Sequence, residues 1–439
     1  MVRSTFKGGI HVHDAKKISM DKPINLLLPK GNLVYLTSQH IGAPAKPLVS
    51  KGERVLQGQK IAESSDYVSS NIISSVSGRV KAIEKRSNLL GDMVEAIVIE
   101  NDDKYESVEG YGQERDYLNL SKNEIREIIK EAGIVGLGGA GFPTHVKLTP
   151  KNDDEIEYII VNGAECEPYL TSDYRTMIEG ADKLVEGLKI ILKLFDNAKG
   201  IIAIEDNKPK AIEKIKKLTA KESRIELKIL KTKYPQGAER QLIYVVTGRK
   251  INSSMLPAEA ACIVDNVGTV VSIYMAVSQN IPLISRVITV SGDAVANPQN
   301  FRVLIGTDLR EVIDGAGGFI SQPEKVVSGG PMMGTALYDL NIPTTKQTNA
   351  ILVFLNDEAD LDERPCISCG RCIESCPSRL LVKELAELAS RIDEKGFIKL
   401  NGMECCGCGS CTYICPADRN LSQRIMGTRN RILKSKRSI

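Results

Sequence analysis

Cys366-Ile367-Ser368-Cys369-Gly370-Arg371-Cys372-Ile373-Glu374-Ser375-Cys376-Pro377 is a C-x2-C-x2-C-x3-C-P run. Cys405-Cys406-Gly407-Cys408-Gly409-Ser410-Cys411-Thr412-Tyr413-Ile414-Cys415-Pro416 repeats it. Thiolates at this spacing wrap three sulfurs round one [4Fe-4S] cubane, and the fourth cysteine of each run reaches the other cluster. Cys366, Cys369, Cys372 and Cys415 are therefore expected to hold one centre, and Cys376, Cys405, Cys408 and Cys411 the second. Zinc also uses paired C-x2-C motifs, but it takes two pairs across a longer loop and calls for neither the third Cys nor the trailing Pro. Cys406 is left over, because a ligand there would leave a single residue before Cys408. An α-rich, ferredoxin-like electron-carrying module is expected over residues 357–425.

Outward from that module, 439 residues allow roughly three domains of ~150 each. The 36 glycines point to close backbone approaches and turns. A net charge of +3 leaves no broad basic footprint for nucleic acid. Most of the 11 cysteines have cluster spacing, and labile iron–sulfur chemistry argues for a reducing compartment over disulfides. Residues 1–21 mix charge and glycine and lack the apolar core of a secretory signal. No run reaches the ~18 apolar residues of a membrane helix. A water-soluble, cytoplasmic chain is expected. Its end carries Arg419, Arg424, Arg429, Arg431, Lys434, Lys436 and Arg437 without an acid. A basic tail over 426–439 is expected, either solvated or against an anionic surface.

Residues 24–100 read as short strands and turns. Val49-Ser50-Lys51-Gly52-Glu53, Gln57-Gly58-Gln59-Lys60-Ile61 and Ser75-Val76-Ser77-Gly78-Arg79 resemble a biotinyl/lipoyl barrel-sandwich domain, expected over 1–110. Such a domain keeps its carrier lysine eleven residues before the last glycine. That position is Tyr67, which takes no lipoyl or biotinyl amide, so the domain is expected to dock and not to carry. Residues 121–132 form a helix with a capping box, Ser121 and Glu124. Strands at 157–162 and 201–204 alternate with helices at 182–195 and 209–218, which indicates a parallel sheet covered on both faces. Residues 258–278 read as mostly helical. Residues 279–348 read as a small α+β domain with its clearest strand at 287–292, and the acidic stretch 357–363 as a linker.

The second site is Gly136-Leu137-Gly138-Gly139-Ala140-Gly141-Phe142-Pro143-Thr144, placed after a helix and before a strand. It is not the dinucleotide fingerprint, whose strand, turn and helix come in another order. Backbone without Cβ atoms can still lie flat against a ring or point N–H groups at an anion. Asn162-Gly163-Ala164-Glu165-Cys166-Glu167-Pro168 ends the strand at 157–162, where ligands of open α/β sheets bind. Tyr234-Pro235-Gln236-Gly237-Ala238-Glu239 and Asp265-Asn266-Val267-Gly268-Thr269 add polar groups in turns.

These four segments resemble the FMN- and NADH-binding flavin subunit of respiratory complex I. Over residues 5–425 the chain resembles a nearer family, the RnfC family of the Rnf electron transport complex. The nearer likeness is carried also by Phe6-Lys7-Gly8-Gly9-Ile10-His11, by residues 38–47, by Gly329-Gly330-Pro331-Met332-Met333-Gly334 and by the paired cluster motifs. It implies a Rossmann-like FMN/NADH-binding α/β domain at 120–278 and an SLBB-type domain at 279–348. It implies that NADH and FMN stack on Gly136, Gly138, Gly139, Ala140 and Gly141, with Phe142 by the adenine and Lys147 near phosphate. Glu165 and Glu167 would flank the flavin and nicotinamide, and Glu239, with Tyr234 and Gly237 beside it, would hold a ribose. Asn162, Asn266 and Thr269 would bind the ribityl phosphate. No side-chain nucleophile is implied. Leu137 replaces the Arg common in the complex I loop, and Ala238 stands where a second Glu is usual.

The resemblance implies a component of an ion-translocating ferredoxin:NAD+ oxidoreductase, peripheral on the cytoplasmic side of the membrane. It would be held there by other Rnf membrane and ferredoxin-type subunits, and ferredoxin would be met through a partner subunit. The alternatives are a soluble flavin/iron–sulfur reductase, such as a cobalamin reductase or proline-reductase electron donor, and a flavin-free electron-conducting adaptor. Cys262 is expected as a core thiol, Cys166 as a packed one, and Met332-Met333 as packing. His11, His13, His40 and His145 have no metal spacing.

Overall fold

The computed structural model describes residues 4–360 and 362–437. Met1–Arg3, Leu361 in the expected linker, and Ser438 and Ile439 in the expected tail lie outside the described residues.

A four-stranded parallel sheet runs in the order Ile225–Leu230, Lys199–Glu205, Tyr158–Gly163, Cys262–Asn266. Alternate residues of a strand face opposite sides. Ile159 and Val161 thus pack with Leu184, Leu188, Val270 and Ile273 of the helices Ala181–Leu192 and Val267–Gln279. Ile160 faces the other way, onto Leu242 and Ile243 of the helix Glu239–Thr247. The expected long helix at 258–278 is replaced by an edge strand, Cys262–Asn266, with the helix starting at Val267. A short apolar run reads alike as strand or buried helix, and pairing with Tyr158–Gly163 decides it. Cys262 opens that strand and is buried. The helix Lys122–Glu131 carries its capping box: the Ser121 and Glu124 side chains each accept from the other's backbone N–H.

The barrel-sandwich layers are a four-stranded sheet, Leu33–Leu36, Met93–Asn101, Gly78–Ser87, Arg54–Val55, and a three-stranded one, Lys46–Pro47, Lys60–Glu63, Ile72–Ile73. Leu33, Tyr35, Val55, Ile61, Ile72, Val80, Ile97 and Ile99 are buried in a core continuous with the parallel-sheet domain. Gly78 is required by a close crossing, since a Cβ there would sit 2.1 Å from the Glu100 carbonyl oxygen. Tyr67 sets its ring edge-on to His145, 6.1 Å between centroids, and its carbonyl lies 3.2 Å from His145 Nε2.

The third sheet has six strands, in the order Ile24–Leu27, Gln299–Leu304, Ser285–Ser291, Ala350–Phe354, Lys325–Ser328, Thr335–Leu337. Parts of residues 1–110 pair outside the barrel-sandwich layers. Ile24–Leu27 joins the third sheet, and the arm before it bridges Ser4 to Leu230 and Ile10 to Tyr234 of the parallel-sheet domain. Ala350–Phe354 carries the third domain beyond 348. Lys346 ties three units together: its buried Nζ donates to Ser70 Oγ (3.0 Å), Asn71 O (2.5 Å) and Gly133 O (2.8 Å). Burial without a carboxylate pushes its ammonium down to about 7.

The C-terminal module is helical: Arg371–Ser375, Val382–Ser390, Glu394–Lys399, Ser410–Tyr413 and Leu421–Arg437. The expected basic tail is therefore mostly the last of these helices. Its Leu421, Ile425 and Ile432 are buried with Leu385 and Phe397, while Arg424 pairs with Glu363 and Arg431 with Glu394. Among the described residues, no helix is long and apolar enough to cross a membrane.

Candidate redox site

Gly370 and Gly409 stand at the same place in the two cysteine runs, with φ +78° and +76°. That left-handed turn, which glycine adopts freely, opens the short helix that brings the third cysteine of each run round. The two short helices pack together. One void is lined by Cys376, Cys405, Cys406, Cys408 and Cys411, with Leu380, Val382 and Ile425 behind them. The fourth cysteine of the first run thus meets the first three of the second. Soft thiols in an apolar void with no carboxylate suit an iron–sulfur cluster. Among the described residues no three His, Cys, Asp or Glu side chains converge as ligands of a single ion do; a cubane takes its thiolates on separate irons. Of the other set, Cys366 and Cys369 are exposed and Cys372 and Cys415 half-buried.

The glycine loop lies beyond the carboxyl end of the parallel sheet. Gly138, Gly139 and Ala140 are exposed, and a Cβ on Gly139 (φ +128°) would enter open space. The loop is braced from below. Gly136 N–H donates to Phe142 O (2.8 Å), Leu137 N–H to Thr269 Oγ1 (2.9 Å), and Arg286 Nη2 to Leu137 O (2.9 Å). The loop leads through a single helical turn, Thr144–Lys147, before the expected strand, Tyr158–Gly163. An open shelf that carries no side chain larger than a methyl, on a braced loop, fits a planar ring.

The polar residues expected around it are largely engaged by their own chain. Asn162 Nδ2 donates to Gly237 O (2.8 Å) and its Oδ1 accepts from Ala164 N–H (3.2 Å). Asn266 caps the helix Val267–Gln279 through Gly268 N–H and donates to Asp173 Oδ2 (2.6 Å). Thr269 holds Leu137. Lys147 Nζ donates to Asp265 Oδ1 and Val264 O, both 2.8 Å. These four brace the walls of the site. Phe142 is half-buried, Gly237 N–H donates to Cys166 Sγ (3.3 Å), and Glu239 opens its helix.

The carboxyls of Glu165 and Glu167 are buried, that of Glu167 against the Met332 loop of the third domain. Glu165 sits in the left-handed region, φ +49°, and its Oε1 accepts from Asp173 N–H (2.7 Å). Burial raises its carboxyl, against the pull of Lys16 and Lys208. Glu167 Oε2 accepts from Met332 N–H (3.0 Å), and burial pushes this carboxyl up to about 7. A Cβ on Gly330 would meet Glu167 Oε2 at 2.2 Å, so the Gly330–Gly334 loop is a cap on this carboxylate and not mere packing. Burial pushes the Cys166 thiol up to about 12.

Two lysines enter the site without any signal in the sequence. Lys16 Nζ donates to Glu167 O (2.8 Å) and Leu170 O (2.5 Å), and Lys208 Nζ to Ala164 O (2.6 Å). Both stand in ordinary charged stretches, and only the fold turns them inward under the 164–167 loop.

The cysteine module docks on this same loop cluster. Tyr234 Oη donates to Cys408 O at 2.7 Å and lies 3.4 Å from Glu167 Oε1. Arg240 Nη1 and Ser253 N–H each donate to Glu404 at 2.8 Å, beside Cys405. Gly9 N–H donates to Ser375 O (2.7 Å).

Curated relatives align over most of the chain. The C subunit of the proton-translocating ferredoxin:NAD(+) oxidoreductase complex of Clostridium ljungdahlii is 47% identical over 88% of this chain and 85% of its own. The C subunit of the Na(+)-translocating complex of Acetobacterium woodii is 43% identical over 88% of each. The C subunit of the ion-translocating oxidoreductase complex of Rhodobacter capsulatus is 36% identical over 91% of this chain and 78% of its own.

The chain belongs to the RnfC family.

Four family models match this RnfC chain in turn: an RnfC barrel sandwich hybrid domain (4–104), a Nuo51 FMN-binding domain (129–275), an SLBB domain (287–336) and a 4Fe-4S dicluster domain (365–419). The expected fold class stands, and so do FMN and the two [4Fe-4S] clusters as its cofactors. A solved NAD+-reducing [NiFe]-hydrogenase in the H2-reduced state shares the fold at TM-score 0.52 and 18% identity, over 73% of this chain and 63% of that chain.

Proposed function

We propose that this RnfC chain exchanges hydride between NAD(H) and FMN and passes single electrons onward within an ion-translocating ferredoxin:NAD+ oxidoreductase. FMN, when bound, supplies the conversion between two-electron hydride and one-electron steps. The chain's own residues position and shield it. Gly138, Gly139 and Ala140 offer the open shelf, Thr269 and Arg286 keep it rigid, and Glu165 and Glu167 fix the wall behind it. Cys376, Cys405, Cys408 and Cys411 would hold an inner cluster, and Cys366, Cys369, Cys372 and Cys415 an outer one.

The observation that carries this reading is the contact between the two sites. The void lined by Cys376 and Cys408 abuts the loops at 164–167 and 234–239, through Tyr234 and Cys408. The barrel-sandwich region, with no carrier lysine at Tyr67, serves as a docking unit toward membrane-embedded partners on the cytoplasmic side. Ferredoxin is met through a partner. The test is anaerobic: protein purified with its clusters and supplied with FMN is mixed with NADH. Bleaching of the flavin, followed by the clusters, is expected. Flavin that stays oxidised would overturn the reading in favour of a flavin-free adaptor. Release from membranes by high salt without detergent is the expected sign of peripheral attachment.

A further inference from the structure

Tyr234 spans the flavin side and the inner cysteine void with a single hydroxyl. Its backbone is clamped in both directions by Ile10, N–H to O at 2.8 and 2.9 Å. Its side chain is 1% exposed, enclosed by Ile10 and Cys408, with Val12, Cys166, Met332, Cys406 and Ile414 around them. Water does not compete for its hydrogen bond, so the 2.7 Å bond to the Cys408 carbonyl keeps its strength. That carbonyl belongs to the middle cysteine of the run. The equivalent cysteine of the other run, Cys369, is exposed. The two runs share their spacing and differ at this point.

We propose that Tyr234 is a positioning residue for the inner cluster: by donating to the Cys408 carbonyl it locks the ligand loop against the flavin domain and raises that cluster's reduction potential over what the loop alone would give. The physical cause is the O–H dipole. Its positive end points at the ligand's peptide, where it favours the more negative, reduced state of whatever the thiolate holds. Hydrogen bonds and burial around ligands are the protein's usual means of setting such potentials. The inference rests on the proposed ligand set.

The test is a redox titration of the anaerobically purified holoprotein, with each cluster followed by its paramagnetic signal. Cys369→Ser identifies the outer cluster's signal by altering it. In Tyr234→Phe the inner cluster should become harder to reduce by about threefold in its equilibrium, ~30 mV at 59 mV per tenfold for one electron. The outer cluster should not move. No shift of the inner cluster, or equal shifts of both, would overturn the proposal. Should the Phe variant lose the inner cluster, a ring-fluorinated tyrosine in place of Tyr234 keeps the shape and strengthens the donor. It should shift the inner potential upward, and an unchanged potential there overturns the proposal too. Iron for only one cluster in the unaltered protein would instead sink the ligand assignment, whatever the variants do.

Discussion

The two cysteine sites share one spacing and differ in everything around it. Cys376, Cys408 and Cys411 are buried, under the loops of the flavin domain. Cys366 and Cys369 are open to solvent, and Ile367 between them is 68% exposed. Spacing decides what a run can bind; the neighbour decides what the bound group can reach. The buried thiols lie against Tyr234 and Cys166 of the FMN-binding domain, and Cys366 and Cys369 face solvent. Solvent exposure also separates cluster potentials, so the two sites are not interchangeable steps.

The largest expected effect tests this asymmetry directly. Cys369→Ser and Cys408→Ser should each bring iron from about eight to about four atoms per chain. Only Cys408→Ser should also loosen the module from the flavin domain, seen as faster proteolysis near residues 355–365. Equal susceptibility in the two variants would break the comparison. Gly139→Val should empty the shelf of FMN while leaving iron at the wild-type level, because a branched side chain at φ +128° both strains the loop and fills the open space. Loss of iron there would tie the clusters to the shelf more closely than the contacts suggest.

A third expectation concerns the part of the molecule away from both clusters. The folded Lys346 ammonium is held down to about 7, against ~10.4 unfolded. Between those values the unfolded chain binds the extra proton, so stability rises with pH, and below 7 this contribution is flat. A rise of about 3 kcal/mol from pH 7 to 10 in chemical denaturation should be present in wild type and missing in Lys346→Met. Iron content should be the same in both proteins. The smallest effect belongs to Cys406→Ser, which should keep both clusters. Loss of the inner one would move the ligand register by one residue, since Cys406 lines the same void.

The cluster runs, the parallel sheet and the glycine shelf are legible in the sequence because each rests on local spacing or periodicity. The edge strand Cys262–Asn266 is not, because its apolar run has no period that separates strand from helix. Nor is the place of Ile24–Leu27 in the third sheet, because its partner Gln299–Leu304 lies far along the chain and a strand carries no label for a distant neighbour. The site divides in the same way. Glu165 and Glu167 stand out through their motif. Lys16, Lys208 and the Met332 N–H do not, since they act through backbone contacts that only the fold creates. Asn162, Asn266 and Thr269 lie where the motifs put them, and what the motifs do not show is that their side chains also brace the walls.

The Tyr67–His145 contact has a kinetic consequence. A swinging prosthetic arm delivers its charge by diffusion, and its rate falls as the solvent thickens. Here the would-be arm position is a tyrosine whose ring and carbonyl both rest on a histidine of the flavin domain. Handover inside this chain is then expected across fixed gaps. Glycerol should leave the internal transfer rate unchanged and slow only the exchange with a separate partner, which makes viscosity a simple way to tell the wired segment of the route from the diffusing one.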